Sequence, residues 1–190
     1  LENKEIIINR LSGNYRYPCN FMFVASMNPC PCGNYGDEEK ECKCTEQEIH
    51  RYLRKVSGPL LDRIDIQVEV NGIEVKRPNI KSLKSQNNSE TSFQIRERVN
   101  RARRIQLNRY KEYGIYSNSE LNEKLIDTFC SIDKNGEILL KNAFEKLKLS
   151  VRAYQRILKV ARTIADLEES KDIQVRHLAE AIQYRSLDKF

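Results

Sequence analysis

The sequence predicts an α/β segment at residues 1–72 followed by an all-helical bundle at residues 92–190. Short apolar, β-prone runs are concentrated in the first region, whereas apolar residues recur at helical spacing throughout the second. Residues 73–91 are polar and include the run KSLKSQNNSE, so we predict a linker there. Hydrophobic residues make up 39% of the 190 and charged residues 32%, a composition that suits a folded, polar protein rather than a disordered one.

Three strands are predicted in the α/β segment. The first is EIIIN at residues 5–9, from which the turn-rich stretch LSGNYRYP leads away. The second is FMFVASM at residues 21–27, a continuous apolar run of the kind that is buried on both faces of a parallel sheet. The third spans residues 64–70, where apolar and polar residues alternate. Between the last two, Thr45 and Glu48 form a capping box that begins a helix.

The region after the linker reads as a series of amphipathic helices. Apolar residues recur there at intervals of three and four positions, which is the pattern of a helix with one buried face. The predicted starts are marked by capping residues or by the first residue of an apolar repeat, and they fall at Thr91, Ser117, Gly136, Ser150 and Asp172.

Two features lead us to expect neither a membrane-spanning nor a secreted protein. No apolar run approaches the roughly 20 residues that cross a bilayer. The opening LENKEIIINR carries no signal-peptide pattern, and the absence of an initiator Met suggests a fragment of a longer chain. We therefore expect a cytoplasmic protein with reduced cysteines, which disfavours a disulfide framework.

Four of the six cysteines fall in one loop, as two Cys-x-Cys pairs. Cys30, Cys32, Cys42 and Cys44 supply the four soft ligands that a closed tetrahedral zinc site requires. The loop has few apolar residues of its own, so metal binding would provide the free energy that orders it. Unmetallated thiols and redox chemistry are the alternatives. The nearby His50 is interpreted as a surface residue of the following helix.

A basic stripe lies at the start of the helical bundle. Seven basic residues occur between Arg96 and Lys111, against the single acid Glu97. The formal net charge of the chain is only +6, so this clustering is more informative than the total. The stripe could contact phosphates, face an acidic neighbouring subunit, or be a solvated helix face.

Four strings in order give a family resemblance. MNPCPCG, SGPLLDRIDIQVEV, SVRAYQRILKVARTIADLE and HLAEAIQYR resemble the magnesium-chelatase-like AAA+ ATPases of bacteria, in particular their ComM (YifB) type. The resemblance covers essentially the whole chain. It implies that the α/β segment is the remnant of an AAA+ core, with parallel strands and a zinc loop, and that the bundle is its helical lid.

The resemblance also implies roles for individual residues. Asn28 matches sensor 1, which positions water near the γ-phosphate of ATP; its plain alternative is a residue of an Asn-Pro turn. Arg63 matches the arginine finger that reaches the neighbour's nucleotide, although it could instead pair with Asp62 or Asp65. Arg152 matches sensor 2 on the lid, with Arg156 as the competing candidate for contact with the phosphates.

These implications make the chain the C-terminal part of an ATPase. It contains no Gly-x4-Gly-Lys-[Ser/Thr] loop, so ATP and magnesium would be bound mainly by residues upstream, and this fragment alone should not hydrolyse ATP. The parent would form a ring of its own copies and remodel DNA, as a helicase or branch-migration motor does. The alternatives are an ATP-dependent magnesium chelatase subunit and a non-enzymatic, zinc-containing DNA-binding module.

Overall fold

A computed structural model describes residues 4–37, 39–70, 90–147 and 149–185 of the chain. The chain divides into two compact units, Leu1–Arg63 and Ile64–Phe190. Most of the predicted linker, residues 73–89, lies outside the described residues.

The first unit contains a β-hairpin. Strand β1 (Glu5–Arg10) pairs with β2 (Gly13–Pro18) in antiparallel register, with Ile7 opposite Arg16. The β-branched and aromatic residues of both strands favour this pairing. The first predicted strand is therefore confirmed. The stretch after it, which we interpreted as turn-rich, supplies the second strand instead of leading away.

Two predicted strands are wrong. Residues 21–27 and 64–70 are irregular, and the sheet present among the described residues is the antiparallel hairpin rather than a parallel sheet. A strand requires a neighbour for its backbone groups, which an apolar run does not itself supply. Residues 64–70 bond instead to the end of the helical unit, where the Gln67 amide donates to the Tyr184 carbonyl at 2.8 Å.

The helix after the cysteine loop begins where the capping box predicts. Helix α1 (Glu46–Leu53) has Thr45 as its N-cap. The Glu48 amide donates to the Thr45 hydroxyl at 3.3 Å, and the Thr45 amide donates back to the Glu48 carboxylate at 2.9 Å. Hydrogen bonds from the Thr45 backbone and side chain lower the pKa of Glu48. A second, short helix α2 (Gly58–Leu61) follows, with Pro59 in its first turn.

The second unit is helical, as predicted. Its elements are α3 (Ser92–Arg109), a 3-10 turn (Asn118–Glu120), α4 (Glu123–Phe129), α5 (Lys134–Leu147), α6 (Val151–Leu167) and α7 (Val175–Gln183). The predicted starts of α3 and α6 are confirmed, because the hydroxyls of Thr91 and Ser150 accept bonds from first-turn amides. The predicted helix start at Ser117 gives only the 3-10 turn, and Asn122 caps α4 instead.

Helix α6 is the centre of the helical core. It packs against α3, the 3-10 turn, α4 and α7. Its inward face presents small and branched apolar side chains at helical spacing, namely Ala153, Ile157, Leu158, Ala161, Ile164 and Ala165. Helix α5 packs closely against α7 at Gly136, since a Cβ there would lie 2.8 Å from Leu178 Cδ1. None of the described helices is long and apolar enough to cross a membrane.

A buried carboxylate joins three elements of this core. Asp166 of α6 receives two bonds from Arg109 at the end of α3, at 2.5 and 2.9 Å. The Asn118 amide of the 3-10 turn donates to the same carboxylate at 2.9 Å, and Arg162 donates to it at 3.2 Å. The side chains of Asp166 and Arg162 are 0% and 3% exposed. We call Asp166, Arg109, Arg162 and Asn118 the carboxylate hub.

The charges of the hub respond differently to burial. Burial lowers the pKa of Arg162. At Arg109 burial acts in the same direction, but the hydrogen bonds to Asp166 outweigh it, so the pKa of Arg109 is raised. The remaining donors of Arg162 bind the carbonyls of Ser170 and Lys171, at 2.6 and 2.8 Å. Each charge in the hub therefore has a partner.

Substitution of Asp166 tests the hub. We expect Asp166→Asn to lower the free energy of unfolding by about 3–5 kcal/mol, because two arginines would keep their burial and lose their counter-charge. Glu169→Gln is the matched control. It removes the exposed ion pair with Arg101 and should cost less than about 1 kcal/mol. Urea unfolding of the chain measures both, and equal effects would contradict the importance of the hub.

Candidate metal centre and candidate nucleotide-contacting residues

The cysteine loop folds back through two glycine turns. Gly33 and Gly36 have φ values of +86° and +82°, in the region that glycine adopts without steric cost. The Gly33 amide donates to the Cys30 carbonyl at 3.1 Å, which closes the first turn. The Asp37 carboxylate then accepts bonds from the amides of Glu39 and Lys40, at 2.8 and 3.0 Å. These local bonds bring the second cysteine pair next to the first.

The four sulfur atoms form one compact group. Cys30 Sγ lies 3.4 Å from Cys32 Sγ and 3.7 Å from Cys42 Sγ, and the last two are 3.6 Å apart. All four sulfurs, including that of Cys44, lie within 4.8 Å of one another. A tetrahedral ion with metal–sulfur bonds of about 2.3 Å holds its ligands about 3.8 Å apart. A disulfide would require a separation of about 2.05 Å, and all six cysteines are free.

Backbone amides around the sulfurs favour thiolates at part of the cluster. The pKa of Cys32 is lowered to about 6, first by the backbone of Asn34 and then by that of Lys43. At Cys30 burial acts to raise the pKa, but backbone bonds from Tyr35 and Gly33 contribute to a net lowering. Burial raises the pKa of Cys44 to about 12. The backbone of the loop therefore favours anionic sulfur mainly at the first cysteine pair.

The other candidate ligands lie apart from this group. Among the described residues, no other group of metal-ligating side chains comes together in this way. His50 stands exposed on α1, outside the cysteine cluster. Cys130 is buried in the helical core, where burial raises its pKa to about 11. It is therefore an unreactive core residue.

Asn28 lies against the first turn of the cysteine loop. Its side chain is exposed, and it follows an irregular segment rather than the end of a strand. A Cβ placed on Gly33 would be 3.7 Å from Asn28 Nδ2, so the amide rests beside that turn. A change in the conformation of the Gly33 turn would therefore also move the Asn28 amide.

Arg63 follows α2 directly. Its guanidinium donates to the Pro59 carbonyl at 2.7 Å, and the residue is partly buried. Of the two acids that the sequence offered as its alternative partners, Asp65 pairs with Arg156.

Arg152 and Arg156 differ in their surroundings although they stand one turn apart on α6. Arg152 is exposed and makes no ion pair or hydrogen bond within the part of the chain that the structure describes. Arg156 has a side chain only 17% exposed and is held by Asp65. Asn28 and Arg63 belong to the first unit, whereas Arg152 and Arg156 belong to the second.

Sequence reasoning missed the carboxylate hub. Its signal was present but weak: Arg162 and Asp166 interrupt the apolar face of the predicted helix at i and i+4 spacing. Charged residues on an inward face require buried partners. The identity of those partners, Arg109 and Asn118, depends on tertiary contacts that the helical pattern does not contain.

Two family profiles match the chain. The profile described as magnesium chelatase, subunit ChlI C-terminal, matches residues 89–185, and that of magnesium chelatase, subunit ChlI, matches residues 1–77. The chain therefore belongs to the magnesium-chelatase-like family.

Within this family, the chain is similar to the ComM and YifB proteins. It is 42% identical over 187 residues to the competence protein ComM of Haemophilus influenzae, covering 98% of this chain and 35% of that protein. It is 38% identical over 189 residues to the uncharacterized protein YifB of Escherichia coli, covering 100% of this chain and 35% of that protein. The chain thus spans about a third of the length of these curated relatives.

Metal content tests the cysteine cluster. We expect one tightly held metal ion per purified chain, and its loss in a Cys30→Ser/Cys44→Ser variant, because two thiolates cannot close a tetrahedral site. Cys19→Ser, which changes a cysteine outside the cluster, is the control and should keep the ion. Elemental analysis measures the ion, and limited proteolysis measures order in residues 30–44. A metal-free chain with a protease-resistant loop would refute this assignment.

Proposed function

We propose that this chain is the C-terminal part of a ring-forming AAA+ ATPase of the ComM type, whose ATP hydrolysis remodels DNA. In this proposal Asn28 acts as sensor 1, Arg63 as the arginine finger and Arg152 as sensor 2. The observation that carries it is the exposed, unpaired state of Arg152 on the first turn of α6. An arginine that serves a nucleotide must be available to it, whereas a structural arginine has its partner within the fold.

The contrast with Arg156 supports the choice of Arg152. Arg156 is committed to Asp65 and is largely buried, so contact with a phosphate would require that ion pair to break. Arg152 can approach phosphate oxygens without that cost. Its guanidinium would remain charged and could form two parallel hydrogen bonds to a phosphate.

The roles of Asn28 and Arg63 are supported by chemistry and position. An exposed amide such as that of Asn28 can donate to a phosphate oxygen and accept from a water molecule. Arg63 directly follows α2, and its guanidinium carries five N–H donors in a planar fork. Such a group in a neighbouring subunit's site stabilises the charge that spreads over a transferring phosphoryl group.

The cysteine cluster fits a structural zinc ion. Four sulfur ligands at the separations of a tetrahedral site are typical of zinc or of iron–sulfur chemistry. A set of four thiolates leaves no open position, so the ion would order the loop rather than activate water. Cys30, Cys32, Cys42 and Cys44 would hold it, and the adjacent Asn28 would be fixed together with the loop.

The 190 residues contain neither a phosphate-binding glycine loop nor any other Gly-Lys-[Ser/Thr] sequence. ATP and Mg²⁺ would therefore be bound chiefly by residues outside this chain, and the 190-residue chain should be inactive alone. The choice of DNA as the substrate is supported by the basic helix α3 and by the description of the Haemophilus influenzae relative as a competence protein.

Removal of the finger in the full-length protein tests the ATPase proposal. We expect Arg63→Ala to lower kcat for ATP hydrolysis by about a thousandfold or more. Arg54→Ala, which removes an exposed arginine of the same unit, is the control and should leave kcat within about twofold. Wild-type hydrolysis by the Arg63→Ala variant would rule out the finger.

A mixing experiment tests whether the finger acts on a neighbouring subunit. Arg63→Ala subunits would be combined with subunits whose phosphate-binding loop is disabled. Each kind is inactive alone, but a mixed ring places an intact finger beside an intact nucleotide site, so partial recovery of hydrolysis is expected. No recovery in rings shown by mass to be mixed would contradict action between subunits.

Kinetic and unfolding measurements on two variants distinguish the roles of Arg152 and Arg156. We expect Arg152→Ala to raise KM for ATP or lower kcat at least tenfold while leaving the urea unfolding midpoint unchanged, because the side chain has no partner in the described fold. Arg156→Ala should instead lower the unfolding midpoint, since Asp65 loses its counter-charge. The reverse pattern would transfer the sensor role to Arg156.

A further inference from the structure

The arginines of helix α3 fall into two sets. Three of them are held within the fold: Arg98 pairs with Glu90 at 2.5 Å, Arg101 pairs with Glu169 at 2.8 Å, and Arg109 belongs to the carboxylate hub. The side chains of Arg98 and Arg101 remain 41% and 49% exposed, whereas that of Arg109 is 17% exposed. They are accounted for as structural contacts.

The other three arginines are exposed. Arg96, Arg103 and Arg104 make no ion pair or hydrogen bond with any residue that the structure describes. Arg96 and Arg103 stand seven positions apart, which is two helical turns and about 10 Å along the axis, so they share one face. Arg104 is adjacent to Arg103 on the side away from the buried Ala102 and Gln106.

Two apolar side chains stand in line with these arginines. Phe93 is 70% exposed and Leu107 is 47% exposed. Phe93, Arg96, Asn100, Arg103 and Leu107 follow one another at spacings of three or four and form a single stripe. We call this stripe, together with Arg104, the basic face of α3. The one acid of the helix, Glu97, stands at the edge of this face, four positions after Phe93 and seven before Arg104, whereas Arg96 and Arg103 lie on the opposite side of the stripe from it.

We propose that the basic face of α3 is a binding surface for single-stranded DNA. This rests on the proposed function only in taking DNA as the substrate. Guanidinium groups recognise phosphate with two parallel hydrogen bonds, and three exposed arginines that form no ion pair with any described residue offer that recognition along the helix. An exposed aromatic ring beside them offers a base a surface to stack on, which is how proteins bind single strands without sequence preference.

The composition of the face fits a single strand better than a duplex. A duplex keeps its bases stacked and offers nothing to the ring of Phe93, of which 70% is exposed. An acidic protein surface would be recognised by the same arginines and would also cover an aromatic ring, so it is the alternative that the assembly measurement below tests. Phosphates and unstacked bases together account for both the arginines and Phe93.

Charge-matched variants of the full-length protein test the proposal. One carries Arg96→Gln, Arg103→Gln and Arg104→Gln, and the control carries Lys124→Gln, Lys141→Gln and Lys146→Gln, which removes three exposed charges elsewhere on the same unit. Binding of a fluorescent oligodeoxythymidine is measured by anisotropy over a range of salt concentrations.

The arginine variant should bind at least tenfold more weakly. It should also lose about 2 from the slope of log K against log salt, since each single-strand phosphate contact contributes about 0.7. The lysine variant should keep most of both. Equal affinities and slopes in the two variants would overturn the proposal.

Phe93→Ala provides an independent readout. Loss of a stacking contact should weaken binding about fivefold to a hundredfold and leave the salt slope unchanged, because no charge is removed. An affinity equal to that of the unsubstituted protein would overturn the single-strand assignment, as would equal weakening for a duplex of the same length.

Ring assembly and hydrolysis separate this proposal from the proposed function. Sedimentation of the arginine variant should show the same assembly as the unsubstituted protein, and its ATP hydrolysis without DNA should be unchanged. If the rings dissociate while DNA affinity is retained, the face is a contact between subunits and the proposal fails. Failure of the Arg63 test would leave the DNA measurements fully interpretable, so the two ideas can fail separately.

Discussion

The helical unit depends on the buried carboxylate of Asp166. Because it is excluded from water, this charge requires counter-charges and donors, and it obtains them from the end of α3, from the 3-10 turn and from its own helix. Those bonds fix the rotation of α3 about its axis at Arg109. Helical periodicity then places Arg96, Arg103 and Arg104 on the solvent side, while Arg98 and Arg101 reach the carboxylates of Glu90 and Glu169. The exposed basic face is therefore a geometric consequence of the hub, although the two share no atoms.

The cysteine loop, unlike the helical unit, has little hydrophobic packing to order it. Residues 28–44 contribute few apolar side chains, and of them Cys30 is the one that is buried, so hydrophobic packing contributes little to the order of this loop. Glycine turns and the hydrogen bonds to Asp37 bring the two cysteine pairs together, and an ion bound by all four sulfurs would contribute the free energy that orders the loop. Since Asn28 rests on the Gly33 turn, an ion that orders the loop would also limit the positions of the Asn28 amide.

The features predicted correctly from the sequence are those encoded over a few residues. The capping boxes at Thr45 and Thr91, the N-cap at Ser150 and the cysteine pairs each depend on side chains within about a turn or a short loop. The strands at residues 21–27 and 64–70 were wrong because an apolar or alternating run carries no information about its neighbour in a sheet. The hub was missed for the same reason, since Arg109 and Asp166 are 57 positions apart. The assignments of Asn28, Arg63 and Arg152 stay predictions.

The position of acidic partners, more than the arginines themselves, separates structural from functional candidates in this chain. Arg152 and Arg156 stand on the same face of α6, one turn apart, and differ mainly in that Asp65 reaches only the second. The same division occurs along α3, where Glu90, Glu169 and Asp166 engage three arginines and leave three exposed. An ion pair in the fold lowers the free energy that an arginine can gain from a phosphate, because the pair must first be broken. The arginines without carboxylate partners are thus the ones whose full binding free energy is available to a phosphate-bearing ligand.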